Sequence, residues 1–188
     1  GPLDASSSAA IAVLGIASIL FGNLAALGQR RFRRLLAYSS VAHAGYMIFA
    51  LLDATGNRVG DLLLYTVIYA LGTLLACASF AALCPGDDDE LEALDGKFAS
   101  RPVAALLLSL AVLSLAGVPP FPGFFAKLFV FRSAIASGYL VPAIIAFAGS
   151  FVGLAYYVGI VMRLFRAEAR DTNASTAAAQ SGADRATA

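Results

Sequence analysis

The stretch that decides the fold of this chain is Leu115-Ala116-Gly117-Val118-Pro119-Pro120-Phe121-Pro122-Gly123. It interrupts a predominantly apolar segment, 102–136, which as one helix would be about 52 Å long at 1.5 Å per residue. The hydrocarbon core of a bilayer is only about 30 Å thick. Each proline removes a backbone donor and clashes with the preceding turn, so an α-helix cannot continue through three of them. The sequence therefore predicts a helix break at Gly117, Pro119, Pro120, Pro122 and Gly123.

Composition indicates that this break lies in a membrane protein. Of the 188 residues, 60% are hydrophobic and 13% are charged, and the mean hydropathy is +0.79. Soluble domains are about half apolar and about a quarter charged. Five stretches are long enough to cross a bilayer as helices, at about 9–27, 35–52, 62–84, 102–136 and 139–162. We therefore expect an all-α polytopic membrane protein with five transmembrane helices, the fourth of them discontinuous.

Basic residues predict the orientation of these helices. They cluster in the loop 28–34, in the loop 85–101 and after the fifth span. Because short cytoplasmic loops carry an excess of Lys and Arg, both loops and the tail are expected on the cytoplasmic side. The acidic run that begins at Asp87 is expected to form a solvated loop. Residues 1–8 are expected to be a loop remnant or an expression scar, 9–166 the membrane domain, and 167–188 a polar, disordered tail.

A polar face marks the second predicted span. Ser39, Ser40, His43 and Tyr46 recur at spacings of three and four residues, which places them on one side of a helix. Histidine changes its charge closest to neutral pH, so His43 is a candidate for proton transfer. The alternative is a neutral histidine that hydrogen-bonds to a neighbouring helix. A whole polar stripe favours contact with water or a polar partner over contact with lipid.

Lys127 is the second candidate. It follows Gly123 by four residues, in the first turns of the second half-helix and too deep to reach the membrane edge. Burial and the positive end of that half-helix both disfavour its charged form, which suits reversible protonation. The alternative is a salt bridge to an acid from elsewhere, because no acid lies within the five predicted spans. Asn23 and Thr73 are expected to form interhelical hydrogen bonds.

Three strings carry a resemblance to a known family. They are FGNLAAL at 21–27, RLLAYSSVAHAGY at 34–46, and SLAGVPP at 114–120 followed by GFFAK at 123–127. Together they resemble the antiporter-like subunits of respiratory complex I, above all subunit N of the bacterial NADH-quinone oxidoreductase, the counterpart of mitochondrial subunit 2. The resemblance extends over about 11–166. Lys127 favours subunit N over subunit M, which typically has a glutamate at this place.

The resemblance implies one half of the antiporter-like inverted-repeat fold, namely the second five-helix repeat with its broken helix as the fourth span. It implies that Lys127 lies at the exit half-channel and that His43 links the central axis to it. The first repeat and the last helix of the family are not in this chain, which suggests a fragment or one part of a split subunit.

The function implied is a proton-translocating membrane subunit, which couples quinone reduction in partner subunits to proton pumping in the bacterial inner (plasma) membrane. Redox chemistry would lie outside this chain, with NADH, FMN, iron-sulfur clusters and quinone on partner subunits. The expected partners are other membrane subunits of complex I, including neighbouring antiporter-like subunits, and the lipid bilayer, with no nucleic acid. Two alternatives remain: a subunit of a multisubunit sodium/proton antiporter, and an inert membrane scaffold fragment.

Overall fold

The protein is described by a computed structural model over residues 4–52, 58–86 and 88–166. Within these residues all regular elements are helical. The α-helices are α1 (Ala5–Leu27), α2 (Phe32–Ala50), α3 (Arg58–Leu83), α4 (Lys97–Ser100), α5 (Pro102–Ala116), α6 (Pro122–Ala136) and α7 (Leu140–Leu164), and a 3₁₀ helix covers Leu91–Leu94. The predicted disordered tail, 167–188, lies outside the described residues.

The long helices run back and forth between two ends of the molecule. At one end, the loop before α2 meets the segment before α5, where Arg31 approaches the Asp89 carboxylate at 3.7 Å. Asp95 in that segment pairs with Arg163 at 3.2 Å, at the end of α7. We call this end the basic end. The opposite end holds the start of α3 and the end of α6, which are joined by a hydrogen bond from Ser133 to Asp61.

In the segment at the basic end, Asp88, Glu90 and Glu92 are exposed, as predicted for a solvated acidic loop, but the segment is also anchored. Leu91 and Leu94 are buried there, and the Phe32 amide donates a 2.7 Å hydrogen bond to the Asp89 carbonyl. The buried leucines and the ion pairs fix the segment against α2 and α7. Composition indicates that the segment is acidic, but it does not indicate that the two leucines between the acids are buried against the helices.

Apolar side chains cover much of the outer surface. Within the described residues, three helices are long and apolar enough to cross a membrane: Ser6–Leu27, Val59–Leu83 and Leu140–Leu164. Large side chains such as Leu74, Val103 and Val141 point outward and are exposed. Such extensive apolar exposure is typical of a surface that lipid or other membrane helices cover.

Polar residues inside the bundle join the helices. Asn23 of α1 donates to the Tyr46 hydroxyl of α2 and to the Gly149 carbonyl of α7, each at 3.2 Å, which confirms the predicted interhelical hydrogen bonds. The same prediction for Thr73 was wrong, since its buried hydroxyl has no hydrogen-bond partner among the described residues.

Candidate functional site

The chain between α5 and α6 is built by local sequence. Gly117 ends α5 with a φ of 83°, a left-handed conformation that glycine adopts without a steric penalty. The Val118 amide then donates back to the Leu113 carbonyl at 3.1 Å, which completes a Schellman-type helix end. Pro122 begins α6 at the position where a missing amide hydrogen is harmless. Residues 117–121 therefore separate two helices of 15 residues each.

The two helices approach each other closely at Gly123. Its amide donates to the Ser114 hydroxyl at 3.2 Å, and a Cβ at this position would lie 1.8 Å from the Ser114 carbonyl oxygen. Only glycine allows this contact, so the start of α6 lies beside the last turn of α5. The end of α5 and the start of α6 are thereby held together, while Pro119 and Pro120 between them remain exposed.

Lys127 reaches back from α6 to the end of α5. Its side chain is only 7% exposed, and its amine donates a 2.7 Å hydrogen bond to the Ala116 carbonyl. The amine also lies 5.0 Å from the centroid of the Tyr46 ring. A helix C-terminus carries unpaired carbonyls and a partial negative charge. The amine therefore meets the negative end of α5, whereas the sequence-based expectation placed it in the field of the positive end of α6.

A salt bridge does not account for the burial of Lys127. Across 4–52, 58–86 and 88–166, no carboxylate lies within ion-pair distance of its amine. Instead, the Ala116 carbonyl and the π face of Tyr46 surround it. Both groups stabilise a cation without a formal negative charge.

His43 is buried on α2, opposite two tyrosines of α3. It is 4% exposed, and its Nδ1 atom lies 3.0 Å from the Tyr65 hydroxyl. Its ring stacks on Tyr69 with centroids 4.6 Å apart, and it meets the edge of Tyr46 at 5.8 Å. Tyr46 thus contacts both candidates, Lys127 through its ring face and His43 through an edge contact.

Not all members of the predicted polar face join this arrangement. Ser39 is buried and hydrogen-bonds the Tyr157 hydroxyl of α7 at 2.5 Å. Ser40 lies apart, because its hydroxyl donates to the Ala37 carbonyl of its own helix. The face therefore consists of Ser39, His43 and Tyr46, at spacings of four and three residues.

Two spaces adjoin the site. A cavity of about 10 Å³ lies between α2, α3 and the break; it is lined by His43, Tyr65, Ile68, Tyr69, Ser114, Leu115, Gly123 and Ala126. Its size is at the lower limit for one water molecule, and four of its lining residues carry polar groups. A larger, mostly apolar groove of about 740 Å³ runs between α6 and α7 and reaches Lys127 and Arg132.

Sequence reasoning missed an acid near this site. α3 begins at Arg58, so Asp61 lies in its first turn, although no acid was expected within a span. Asp61 is 4% exposed and accepts a 2.5 Å hydrogen bond from Ser133 of α6. The repeat Asp61, Tyr65, Tyr69 at intervals of four residues is visible in the sequence and signals this polar face of α3.

The family follows from a profile that matches most of the chain. The profile described as "NADH:quinone oxidoreductase/Mrp antiporter, TM" matches residues 3–153. The chain belongs to this family. The matched residues include both Lys127 and His43.

Curated relatives in the family are named as subunits of one enzyme. NADH-quinone oxidoreductase subunit N of Pelobacter propionicus is 52% identical over 167 residues, which cover 89% of this chain and 36% of the relative. NADH-quinone oxidoreductase subunit 14 of Thermus thermophilus is 40% identical over 156 residues, which cover 83% and 36%. The chain therefore spans about a third of the length of these relatives.

Solved structures in the family share the fold. A chain of respiratory complex I from Thermus thermophilus with bound aureothin superposes with a TM-score of 0.71 at 38% identity, over 84% of this chain and 36% of that one. A chain of the Mrp complex from Dietzia sp. gives a TM-score of 0.75 at 27% identity, over 86% and 30%. The antiporter-like helical fold of this family is thus established for the described part of the chain.

Proposed function

We propose that this chain is the proton-translocating part of a subunit N of NADH-quinone oxidoreductase, in which Lys127 and His43 carry protons across the membrane. The observation that carries the proposal is the buried Lys127 amine, which is held at a helix break by a carbonyl and an aromatic face. Ionisable side chains at membrane depth are costly and mark ion pathways. Discontinuous helices at the membrane midplane are a recurrent feature of transporters.

In this proposal α5 and α6 together form one discontinuous span, so α1, α2, α3, α5–α6 and α7 cross the bilayer five times. They constitute the second repeat of the antiporter-like fold. The basic end faces the cytoplasm, because its short loops carry the arginines. α6 then rises from the middle of the membrane toward the outer side, and Lys127 lies near the midplane.

Tyr46 supports the connection between the two ionisable groups. Its ring holds the Lys127 amine at 5.0 Å, and the same ring contacts His43. One hydrogen bond from Asn23 to the Tyr46 hydroxyl holds Tyr46 in turn. The small cavity beside His43 has room for about one water, which would extend the path through the break. Protons then pass between Lys127 and His43 by way of hydroxyl groups and water.

The energy for transport comes from partner subunits in this proposal. NADH, FMN, the iron-sulfur clusters and quinone are held there, and neighbouring antiporter-like membrane subunits pack against this one. Within the described residues, no group of three or more His, Cys, Asp or Glu side chains is arranged to hold a metal ion. The names of the curated relatives support the assignment to NADH-quinone oxidoreductase.

The test compares the two lysines of the chain. Lys127→Ala in the assembled complex is expected to lower proton pumping in sealed vesicles by roughly tenfold or more, the scale of losing a positioned proton-transfer group. Lys97→Ala, at the basic end, is the matched control and is expected to pump normally. Unchanged pumping by Lys127→Ala in an intact complex would refute the proposal.

The same vesicles distinguish the alternatives. A sodium/proton antiporter would show proton movement that depends on a sodium gradient and not on NADH. An inert scaffold would tolerate Lys127→Ala as long as the complex assembles. The proposal requires proton movement that depends on NADH and is lost with the amine.

A further inference from the structure

Asp61 is a buried acid for which the proposed path through Lys127 and His43 has no use. It lies in the first turn of α3, at the end of the molecule opposite the basic end, and is 4% exposed. Ser133 of α6 donates to its carboxylate at 2.5 Å. A carboxylate withdrawn from water requires polar partners, and Ser133 is one of those that Asp61 has.

The helix face that carries Asp61 leads directly to His43. Asp61, Tyr65 and Tyr69 are spaced four residues apart, so successive side chains lie one above the other about 6 Å apart along the axis. Tyr65 is hydrogen-bonded to His43 at 3.0 Å, and Tyr69 stacks on the same ring. Asp61 therefore lies one helical turn from Tyr65, whose hydroxyl contacts His43, on the side away from the basic end.

We propose that Asp61 is the last proton-accepting group of an exit path that runs from His43 along this face of α3 to the outer side of the membrane. The inference rests on the proposed function, because it needs protons to reach His43. It adds an acid that no sequence string of the family resemblance includes, and it gives the path an end near the outer surface.

The proton transfers balance along this route. The Nδ1–H bond of the His43 imidazolium breaks as the Tyr65 oxygen accepts that proton. The former hydroxyl proton of Tyr65 leaves in the same step, through one bridging water, to the Asp61 carboxylate. The imidazole is left neutral and the carboxylate becomes a carboxylic acid. Asp61 then gives its proton to water outside, and Ser133 stabilises the restored carboxylate by its hydrogen bond.

A purely structural role for Asp61 makes a different prediction. An acid in the first turn of a helix stabilises the positive helix end, and the Ser133 hydrogen bond ties α6 to α3. Asparagine at this position would keep the shape and an oxygen acceptor for Ser133. It cannot take up a proton at any pH of interest. Asp61→Asn therefore removes proton uptake while it keeps the acceptor for Ser133, and the loss of the charge at the helix end is detected separately, as a lower melting temperature.

The test measures protons moved per NADH oxidised by the assembled complex in sealed vesicles. Asp61→Asn is expected to lower this ratio severalfold, and Asp61→Glu to restore most of it. Tyr65→Phe, which keeps the ring but removes the hydroxyl, is expected to lower the ratio as well and provides a second variant should Asp61→Asn fail to assemble. Asp88→Asn, an exposed acid at the basic end, is the control and is expected to leave the ratio unchanged.

Three outcomes overturn this inference, and they separate its failure from failure of the proposed function. Normal pumping by Lys127→Ala overturns the proposed function and this inference with it. Loss of pumping in Lys127→Ala together with a normal ratio in Asp61→Asn and Tyr65→Phe overturns the exit path alone. An Asp61→Asn complex that melts earlier but keeps its ratio assigns Asp61 a structural role and also overturns the exit path.

Discussion

The Lys127 amine lies 2.7 Å from the carbonyl oxygen of Ala116, so a side chain from α6 completes the end of α5. Lys127 therefore has two roles, and the substitution Lys127→Ala removes both of them together. The lysine satisfies a buried carbonyl at the break, and it supplies the ionisable group of the proposed path. Variants that separate the two roles are therefore more informative than alanine.

Lys127→Gln and Lys127→Leu provide that separation. Glutamine keeps a neutral donor for the Ala116 carbonyl. The free energy of unfolding of the solubilised complex is therefore expected to fall by less than about 1 kcal/mol. Leucine leaves the carbonyl unpaired and is expected to cost about 1–3 kcal/mol. Both variants are expected to lose proton pumping in vesicles. Pumping retained by Lys127→Gln would show that the hydrogen bond, and not the proton, is what matters.

Tyr46 is expected to act mainly through its ring. Tyr46→Phe keeps the aromatic face 5.0 Å from the Lys127 amine and removes the hydroxyl that accepts a hydrogen bond from Asn23. Such bonds within membranes contribute about 0.6 kcal/mol on average. Tyr46→Leu removes the cation–π contact too, for an additional loss of about 0.5–2 kcal/mol. Thermal unfolding should rank the parent above Phe and Phe above Leu, and equal damage by Phe and Leu would contradict the role of the ring.

The position of the break was predictable because its causes are local. Gly117 and the prolines dictate where α5 stops and where α6 can start, whatever surrounds them. The structure places these helix ends at Ala116 and Pro122, inside the predicted stretch. The spacing of Ser39, His43 and Tyr46 was equally local, since it depends only on the helical repeat.

The direction in which Lys127 points was not predictable. The position of Lys127 in α6 is local, but its amine is placed by how the start of α6 lies beside the end of α5, which depends on the contact between Gly123 and Ser114. The burial of Asp61 was not predicted, for a related reason. The predicted span was placed by its run of apolar residues, which begins at Leu62. The helix itself starts at Arg58, and it buries Asp61 against Ser133.

Gly117→Ala is expected to disturb both the helix end and the lysine. A non-glycine residue in the left-handed region costs about 1–2 kcal/mol. In addition, the new Cβ would lie 2.9 Å from Lys127 Cδ and 3.1 Å from its Nζ, so the amine must move. Stability should fall by about that amount, and proton pumping should fall with it.

Gly138→Ala is the matched control for that variant. Gly138 also has a positive φ, 91°, but a Cβ there would have no atom within 4 Å. Gly138→Ala therefore introduces the same backbone strain as Gly117→Ala but no steric contact with Lys127. A similar loss of stability with normal pumping is therefore expected. If both variants pump equally well, the position of the Lys127 amine does not control transport.

Gly123→Ala tests whether the close approach of α5 and α6 holds the site together. Its Cβ would lie 1.8 Å from the Ser114 carbonyl oxygen, and because that atom belongs to the backbone, the two helices must separate. We expect the free energy of unfolding of the solubilised protein to fall by more than about 2 kcal/mol. Gly159→Ala in α7 is the control, since its Cβ would meet nothing within 4 Å and alanine favours a helix by up to about 1 kcal/mol. A Gly123→Ala protein as stable as Gly159→Ala would mean that α6 does not need to start beside Ser114, and the close contact of the two helices beside Lys127 would not be what holds the site together.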